Sequence, residues 1–215
     1  ATFTTADGLG DNAVSAIHED AEGQLWFGTG AKLYGNAGGG VSRCDRVHVT
    51  HFTTTDGLLS DHVMALLEDR QGRLWAGTWK GACRFDGTRF APVEEPIEKL
   101  RYGCRVRAIL EDRRGTLWFG MLDGFGVIRY DGDRVEHFFW DDDPAGGFVE
   151  AMLEDRDGTV WLGTWNGVKR FDGQRFERFT PADELAQSRI LSIGQDRRGN
   201  LWFGTSEGVS RYDGE

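Results

Sequence analysis

A single short pattern recurs five times along this chain, and few folds accept such a repeat. The segments are Val14–Gly28 (VSAIHEDAEGQLWFG), Val63–Gly77 (VMALLEDRQGRLWAG), Val106–Gly120 (VRAILEDRRGTLWFG), Val149–Gly163 (VEAMLEDRDGTVWLG) and Ile190–Gly204 (ILSIGQDRRGNLWFG). A second signature follows each one: Val41–Asp45 (VSRCD), Ala82–Gly87 (ACRFDG), Val127–Gly132 (VIRYDG), Val168–Gly173 (VKRFDG) and Val209–Gly214 (VSRYDG). A third, Phe-Thr-Thr-x-Asp-Gly-Leu, lies at Phe3–Leu9 and Phe52–Leu58. Internal periods of this length mean stacked supersecondary units, because one unit cannot bury its apolar face alone.

Each unit translates into four short strands. The first is of the V-x-A-I-L-E-D type. A D-x-x-G hairpin turn follows, with an Asp side chain free to accept backbone N–H groups and a Gly for positive φ. The second strand is x-L-W-F-G-T and the third V-x-R-Y. An Asp-Gly pair then turns into a fourth strand such as R-F-E-R-F-T. No sustained 3.6-residue period competes with this reading. The second-strand tryptophans Trp26, Trp75, Trp118, Trp161 and Trp202 are spaced 49, 43, 43 and 41 residues apart. Four strands per 40–45 residues predicts blades of a β-propeller. The expected fold is all-β: one five-bladed propeller over residues 1–215, with blades near 14–55, 63–94, 106–140, 149–180 and 190–215. Residues 1–5 are expected to complete the last blade as its fourth strand and so close the ring.

The string D-x-x-G-x-L-W-F-G-T…G-V-S-R-Y-D-G…F-T…D-G-L…V resembles the two-component regulator propeller repeat, best at Asp196–Gly214. That resemblance implies β-propellers in periplasmic sensor regions of bacterial hybrid histidine kinases, often glycan-binding, and in secreted proteins. A periplasmic or secreted location is implied in the same way.

Composition removes other classes. The chain has 215 residues and a formal net charge of −10, so it lacks the Lys/Arg surplus that phosphate neutralisation requires, and no nucleic-acid partner is expected. No apolar run reaches the roughly 18–20 residues of a membrane span. Cys44, Cys83 and Cys104 form neither a C-x-x-C motif nor an even disulfide set, so they read as small buried residues. No metal and no cofactor is expected, and the chain should be a monomer.

Residues shared by all repeats serve the blade, and residues that differ are free for recognition. The two tight turns vary little. The loop from strand two to three and the approach to strand one should share one end of each blade, which makes that end the candidate binding face. Trp79 and Trp165 hold matching loop positions there, where the other repeats have Gly30, Leu122 and Ser206. They are candidate sugar-stacking platforms, with Lys80 and Asn166 as hydrogen-bonding neighbours; the competing reading has them capping the blade tops. Trp140, the third Trp expected on that face and a further ligand-binding candidate, leads into Asp141-Asp142-Asp143, read as a solvated charge run. Tyr34, in the Gly30–Gly40 loop, would reach over the central opening. Arg105, Arg107, Arg189 and Glu150 approach or begin strand one, and Glu207 sits in a loop on the same face. They would either receive an anionic ligand or neutralise one another.

Three functions are open on this basis. The first is a non-catalytic, glycan- or small-molecule-binding sensor-like module. The second is a carbohydrate-active hydrolase or lyase using Glu150 or Asp123, which would need a pair of suitably spaced carboxylates. The third is an excised or engineered blade set without activity. No G-x-S-x-G or H-E-x-x-H motif supports catalysis.

Overall fold

The computed structural model describes residues 2–30, 39–45, 48–93, 97, 100, 103–140, 143–179 and 188–214. The chain divides into two compact units, Ala1–Ile109 and Leu110–Glu215.

The first unit holds two four-stranded antiparallel sheets. Blade one is β1 (Val14–Glu19), β2 (Leu25–Thr29), β3 (Gly40–Cys44) and β4 (Val49–Phe52), and blade two is β5 (Val63–Glu68), β6 (Leu74–Thr78), β7 (Gly81–Phe85) and β8 (Phe90–Pro92). Strands pair in chain order in both sheets. Blade three comprises β9 (Val106–Glu111), which spans the division, β10 (Leu117–Met121), β11 (Val127–Tyr130) and β12 (Val135–Phe138). Blade four is β13 (Val149–Glu154), β14 (Val160–Thr164), β15 (Gly167–Phe171) and β16 (Phe176–Phe179). Blade five has β17 (Ile190–Gln195), β18 (Leu201–Thr205) and β19 (Val209–Tyr212), three strands among the described residues. Five such sheets make the fold a five-bladed β-propeller, as the repeat predicts.

The fourth strand expected for blade five is not assigned among the described residues. Residues 2–4 belong to no strand, and Phe3 stays exposed. Thr4 caps a 3-10 turn at Thr5–Asp7: its hydroxyl accepts from the Ala6 N–H and its own N–H donates to Asp7. The same device follows β4, where Thr53 and Asp56 cap Thr54–Asp56 and Gly57 takes φ 94°. The Phe-Thr-Thr-x-Asp-Gly-Leu signature is therefore a capped turn that ends one blade and leads to the next. Its Leu9 and Leu58 are buried.

One arrangement fastens the D-x-x-G turn in every blade. In blade two, Asp69 Oδ1 accepts from the Gln71 and Arg73 N–H groups, both at 3.0 Å, and Oδ2 accepts the Trp75 indole N–H at 2.7 Å. Asp20–Trp26, Asp112–Trp118, Asp155–Trp161 and Asp196–Trp202 repeat the contact at 2.7–3.0 Å. A buried indole needs an acceptor for its N–H, and the turn aspartate supplies it without leaving the turn. Trp26, Trp118 and Trp161 also pack against the end of strand three in the following blade. Ring centroids are 5.1 Å apart for Trp26–Phe85 and for Trp118–Phe171, both edge-on.

Blades approach closely because strand two carries a glycine at the contact. A Cβ placed on Gly77 would meet Val106 O at 2.7 Å and Val106 Cγ1 at 2.9 Å, and one on Gly163 would meet Ile190 Cγ2 at 2.7 Å. Cys83 and Cys104 are buried and Cys44 is half-buried; all three are free thiols. Burial pushes the Cys83 thiol up to about 11.

Replacing Asp155 by Ala removes three hydrogen bonds from a buried carboxylate at once. The expected cost is about 2–4 kcal/mol in urea unfolding. Asp196→Ala, at the more exposed fifth copy, should lose clearly less.

Several turn carboxylates are held below their ordinary range. The Arg89 N–H holds Asp86 down at about 2. The N–H groups of Thr53, Arg134 and Arg175 do the same for Asp56, Asp131 and Asp172, and the Trp202 indole does so for Asp196. A carboxylate depressed on folding contributes stability above its unfolded value of 3.8, and that contribution is lost as pH falls through the folded value. Urea midpoints should therefore hold steady from pH 7 to 5 and fall progressively between about pH 4 and 2.

Candidate functional site

Strand register places the variable segments together. Val63 pairs with Thr78, Val149 with Thr164 and Ile190 with Thr205, so the start of strand one lies beside the end of strand two. The D-x-x-G and D-G turns lie at the other end of each sheet. The variable loops thus share one end within each blade.

Trp79 and Trp165 each occupy a two-residue loop closed by a buried threonine. Thr78 Oγ1 donates to Gly81 O and Thr164 Oγ1 to Gly167 O, both at 2.8 Å. The Trp79 N–H donates to His62 O at 3.0 Å and the Trp165 N–H to Phe148 O at 3.1 Å. These bonds lay the loop Trp beside the residue that precedes strand one of its own blade.

The rings follow the backbone. In the first unit His62 stacks on Trp79 with centroids 4.8 Å apart, and the Arg105 guanidinium lies 4.9 Å from the Trp79 ring. In the second unit Phe148 stacks on Trp165 at 4.4 Å, and the Arg189 guanidinium lies 4.5 Å from that ring. Each indole therefore carries a stacked ring from its own blade and a cation from the next. These are offset-stacking and cation–π contacts. A sugar could stack on either indole only by displacing a neighbour from within the chain.

Glu150 joins the second cluster. Its Oε1 accepts from the Trp165 indole N–H at 2.8 Å and from Arg189 Nε at 3.0 Å, and Arg189 Nη2 also pairs with it. Glu150 is buried while Arg189 is exposed, so the charge pair has one dry and one wet member. Glu150 Oε1 is thus occupied by partners within the chain.

The other candidates scatter. Arg107 Nη1 donates to Met64 O at 3.4 Å, within the first unit. Lys80 and Glu207 are exposed, and their backbone N–H groups donate to Thr78 and Thr205 hydroxyls. Asp123 is half-buried in the loop after β10. Tyr34 lies outside the described residues. Asn166 turns inward, its amide donating to Asp143 Oδ1 at 2.7 Å.

Two expectations are corrected. Trp140 packs edge-on against Phe176 of blade four, with the Lys169 ammonium 4.6 Å from its ring, so it belongs to the packed core margin. Asp143 is not a solvated charge: it pairs with Lys169 Nζ at 2.8 Å, and that lysine is buried. A buried ammonium demands a nearby carboxylate, and among the described residues Asp143 supplies it. Asp141 and Asp142 lie outside the described residues.

Two clefts open toward the Asp-turn ends. One of 590 Å³, between blades one and two, is lined by Asp20, Arg43, Glu68, Arg84 and Asp86 among others. Another of 240 Å³ lies between blades three and four at equivalent residues, including Asp112, Arg129 and Glu154. Both are lined largely by residues common to every repeat, so they belong to the blade junction. Among the described residues no group of three or more His, Cys, Asp or Glu is placed to hold a metal.

The pairing of each loop Trp with an Arg of the next blade was legible but missed. Only the repeats bearing Trp79 and Trp165 are followed by Arg105 and Arg189 before the next strand one. The corresponding residue after the loops with Gly30 and Leu122 is His62 or Phe148.

Four-stranded antiparallel blades, an indole clasped by each turn and variable loops at one blade end together define a repeat-built β-propeller. The chain belongs to the two component regulator propeller family, whose model matches residues 8–31, 57–80, 101–123, 143–166 and 184–207, over half of the chain. Among solved structures it is similar to the extracellular domain of the hybrid two component system BT3049 from B. thetaiotaomicron, with 26% identity, TM-score 0.73 and 95% of this chain against 27% of that one. It is similar also to the corresponding domain of BT4673 from the same organism, with 20% identity, TM-score 0.73 and coverage of 93% and 27%. Virginiamycin B lyase from Staphylococcus aureus shares the fold at 17% identity and TM-score 0.65, over 93% of this chain and 69% of that one. The chain spans about a quarter of the length of the two-component domains it matches. No curated protein sequence matches it. No helix among the described residues is long and apolar enough to cross a membrane.

Arg189→Ala should cost about 2 kcal/mol, because Glu150 loses charge-assisted hydrogen bonds while staying buried. Glu150→Gln should cost less, since the Gln carbonyl still accepts from Trp165 and Arg189 can turn to water. Denaturant midpoints, read through Trp165-sensitive fluorescence, check the order.

Proposed function

We propose that this chain is a non-catalytic recognition module of an extracellular, two-component-type sensor. Its ligand is an acidic glycan, bound at the blade ends that carry Trp79 and Trp165. The observation that carries this reading is the Arg-on-Trp pair, present where blade two meets three and where blade four meets five, with both arginines exposed. An exposed guanidinium held on an indole has its rotamers restricted before binding, and a carboxylate or sulfate at Arg189 would bind beside or in competition with Glu150. The indole then acts as the support of the arginine. The −10 net charge makes neutral surfaces poor hosts for anions, so two supported cations stand out. The likeness to extracellular domains of two-component systems supports the location and the sensing role. Glu150 is engaged by Arg189 and Trp165, which argues against a hydrolase or lyase built on it.

Calorimetry with a panel of neutral and acidic oligosaccharides tests the proposal. An acidic member should bind, and Arg105→Ala or Arg189→Ala should weaken it about 10–100-fold, the worth of one or two charge-assisted hydrogen bonds. Binding of neutral sugars alone, or affinity unchanged in both variants, would sink the reading.

A further inference from the structure

We propose that the first unit holds an open seat for the carboxylate of a uronic acid at the indole N–H of Trp79, and that the second unit fills the equivalent seat with its own Glu150. The acidic-glycan reading supplies the ligand class, and the comparison of the two seats supplies the rest.

The two seats are built alike. Val63 pairs with Thr78 and Ala65 with Gly77, while Val149 pairs with Thr164 and Ala151 with Gly163, and the register shifts within each interval. Met64 and Glu150 are therefore the same extra residue of the same bulge, a position at which a strand re-aims one side chain. Both are buried. In each seat the loop Trp donates its backbone N–H to the residue before strand one, carries that residue's ring stacked upon it, and has an arginine within 5 Å of its own ring, at 4.9 Å for Arg105 and 4.5 Å for Arg189.

The seats differ in what the indole N–H meets. Trp165 Nε1 donates to Glu150 Oε1 at 2.8 Å, and Arg189 Nε donates to the same oxygen at 3.0 Å. One carboxylate thus takes an indole N–H and a guanidinium together. In the first seat the bulge residue is Met64, whose thioether is a weak acceptor. The Trp79 indole N–H has no acceptor among the described residues, and it is not one of the enclosed polar atoms. Trp79 itself is half-buried, so a ligand oxygen can reach that nitrogen. Met64 has three rotatable bonds and can yield to an entering group.

One seat therefore displays the group that the other lacks. Glu150 is tethered beside Trp165, and a tethered group competes at an effective concentration on the order of millimolar or above. A free sugar acid meets no such competitor from the bulge position beside Trp79. The resident group is a carboxylate, which points to a uronic acid as the acidic sugar, and the wild-type chain should take one such group.

Calorimetry with glucuronate and galacturonate disaccharides, and with their methyl esters as uncharged controls, tests the proposal. The wild type should bind one acid per chain and neither ester. Trp79→Phe keeps a ring for His62 and Arg105 but removes the N–H, and should weaken binding about tenfold, the worth of one hydrogen bond to a charged acceptor. Met64→Glu should abolish binding by filling the seat from within. Glu150→Met should raise the stoichiometry from one to two, whereas Glu150→Gln, which still accepts from Trp165, should leave it at one. A ligand-free measurement keeps the seat testable by itself: in urea unfolding, Met64→Glu should shift the folding equilibrium at least fivefold less unfavourably with Trp79 present than in the Trp79→Phe background. Cooperative unfolding of each variant shows that it is folded. A stoichiometry of one in folded Glu150→Met, weakening by Arg189→Ala without weakening by Arg105→Ala, or no coupling between positions 64 and 79 would overturn the proposal and leave the acidic-glycan reading standing. Coupling without binding of any acidic sugar would support the seat and overturn that reading instead.

Discussion

The hydrogen bond from a strand-two indole to the aspartate of the turn before it is the contact on which the blades depend. It ties three things that would otherwise vary independently: the conformation of the D-x-x-G turn, the rotamer of the largest core side chain and the satisfaction of a buried donor. One carboxylate serves all three, with Oδ1 on the turn backbone and Oδ2 on the indole. With the indole fixed, its ring edge is presented at a set angle to the aromatic of the next blade, as in Trp26–Phe85 and Trp118–Phe171. Local turn chemistry therefore sets the packing of one blade on the next.

A second layer of constraint comes from the strand-two glycines. Val106 and Ile190 reach the backbone of the previous blade only because Gly77 and Gly163 have no side chain. Packing this close leaves no volume to adjust, so the variable chemistry is confined to loops at one blade end. Recognition and architecture are separated there by construction: the Asp-turn end repeats, and the loop end changes from blade to blade.

Blade number, strand order and the split of tryptophans between core and loops were legible because each depends on spacing, which the repeat displays five times. The Asp-to-Trp interval of six residues was equally visible in all five copies. It was read only as turn plus core because the indole donor was not matched to its acceptor. The fates of Trp165, Trp140 and Asp143 were harder to see. The guanidinium on Trp165 comes from the following blade, and the ammonium beside Trp140 and Asp143 comes from β15 (Gly167–Phe171), so neither is a neighbour in sequence.

The placement of Arg105 and Arg189 has a consequence for how such a chain can change. Each arginine is encoded in one repeat and rests on the tryptophan encoded in the repeat before it. Copying or exchanging a whole repeat would separate the two, leaving a bare indole on one side and an unsupported cation on the other. The heritable module is therefore the seam, running from the loop of one repeat to the first strand of the next. Shuffling at the D-x-x-G turns would keep each pair together, whereas shuffling at the capped Phe-Thr-Thr-x-Asp-Gly-Leu links would break it.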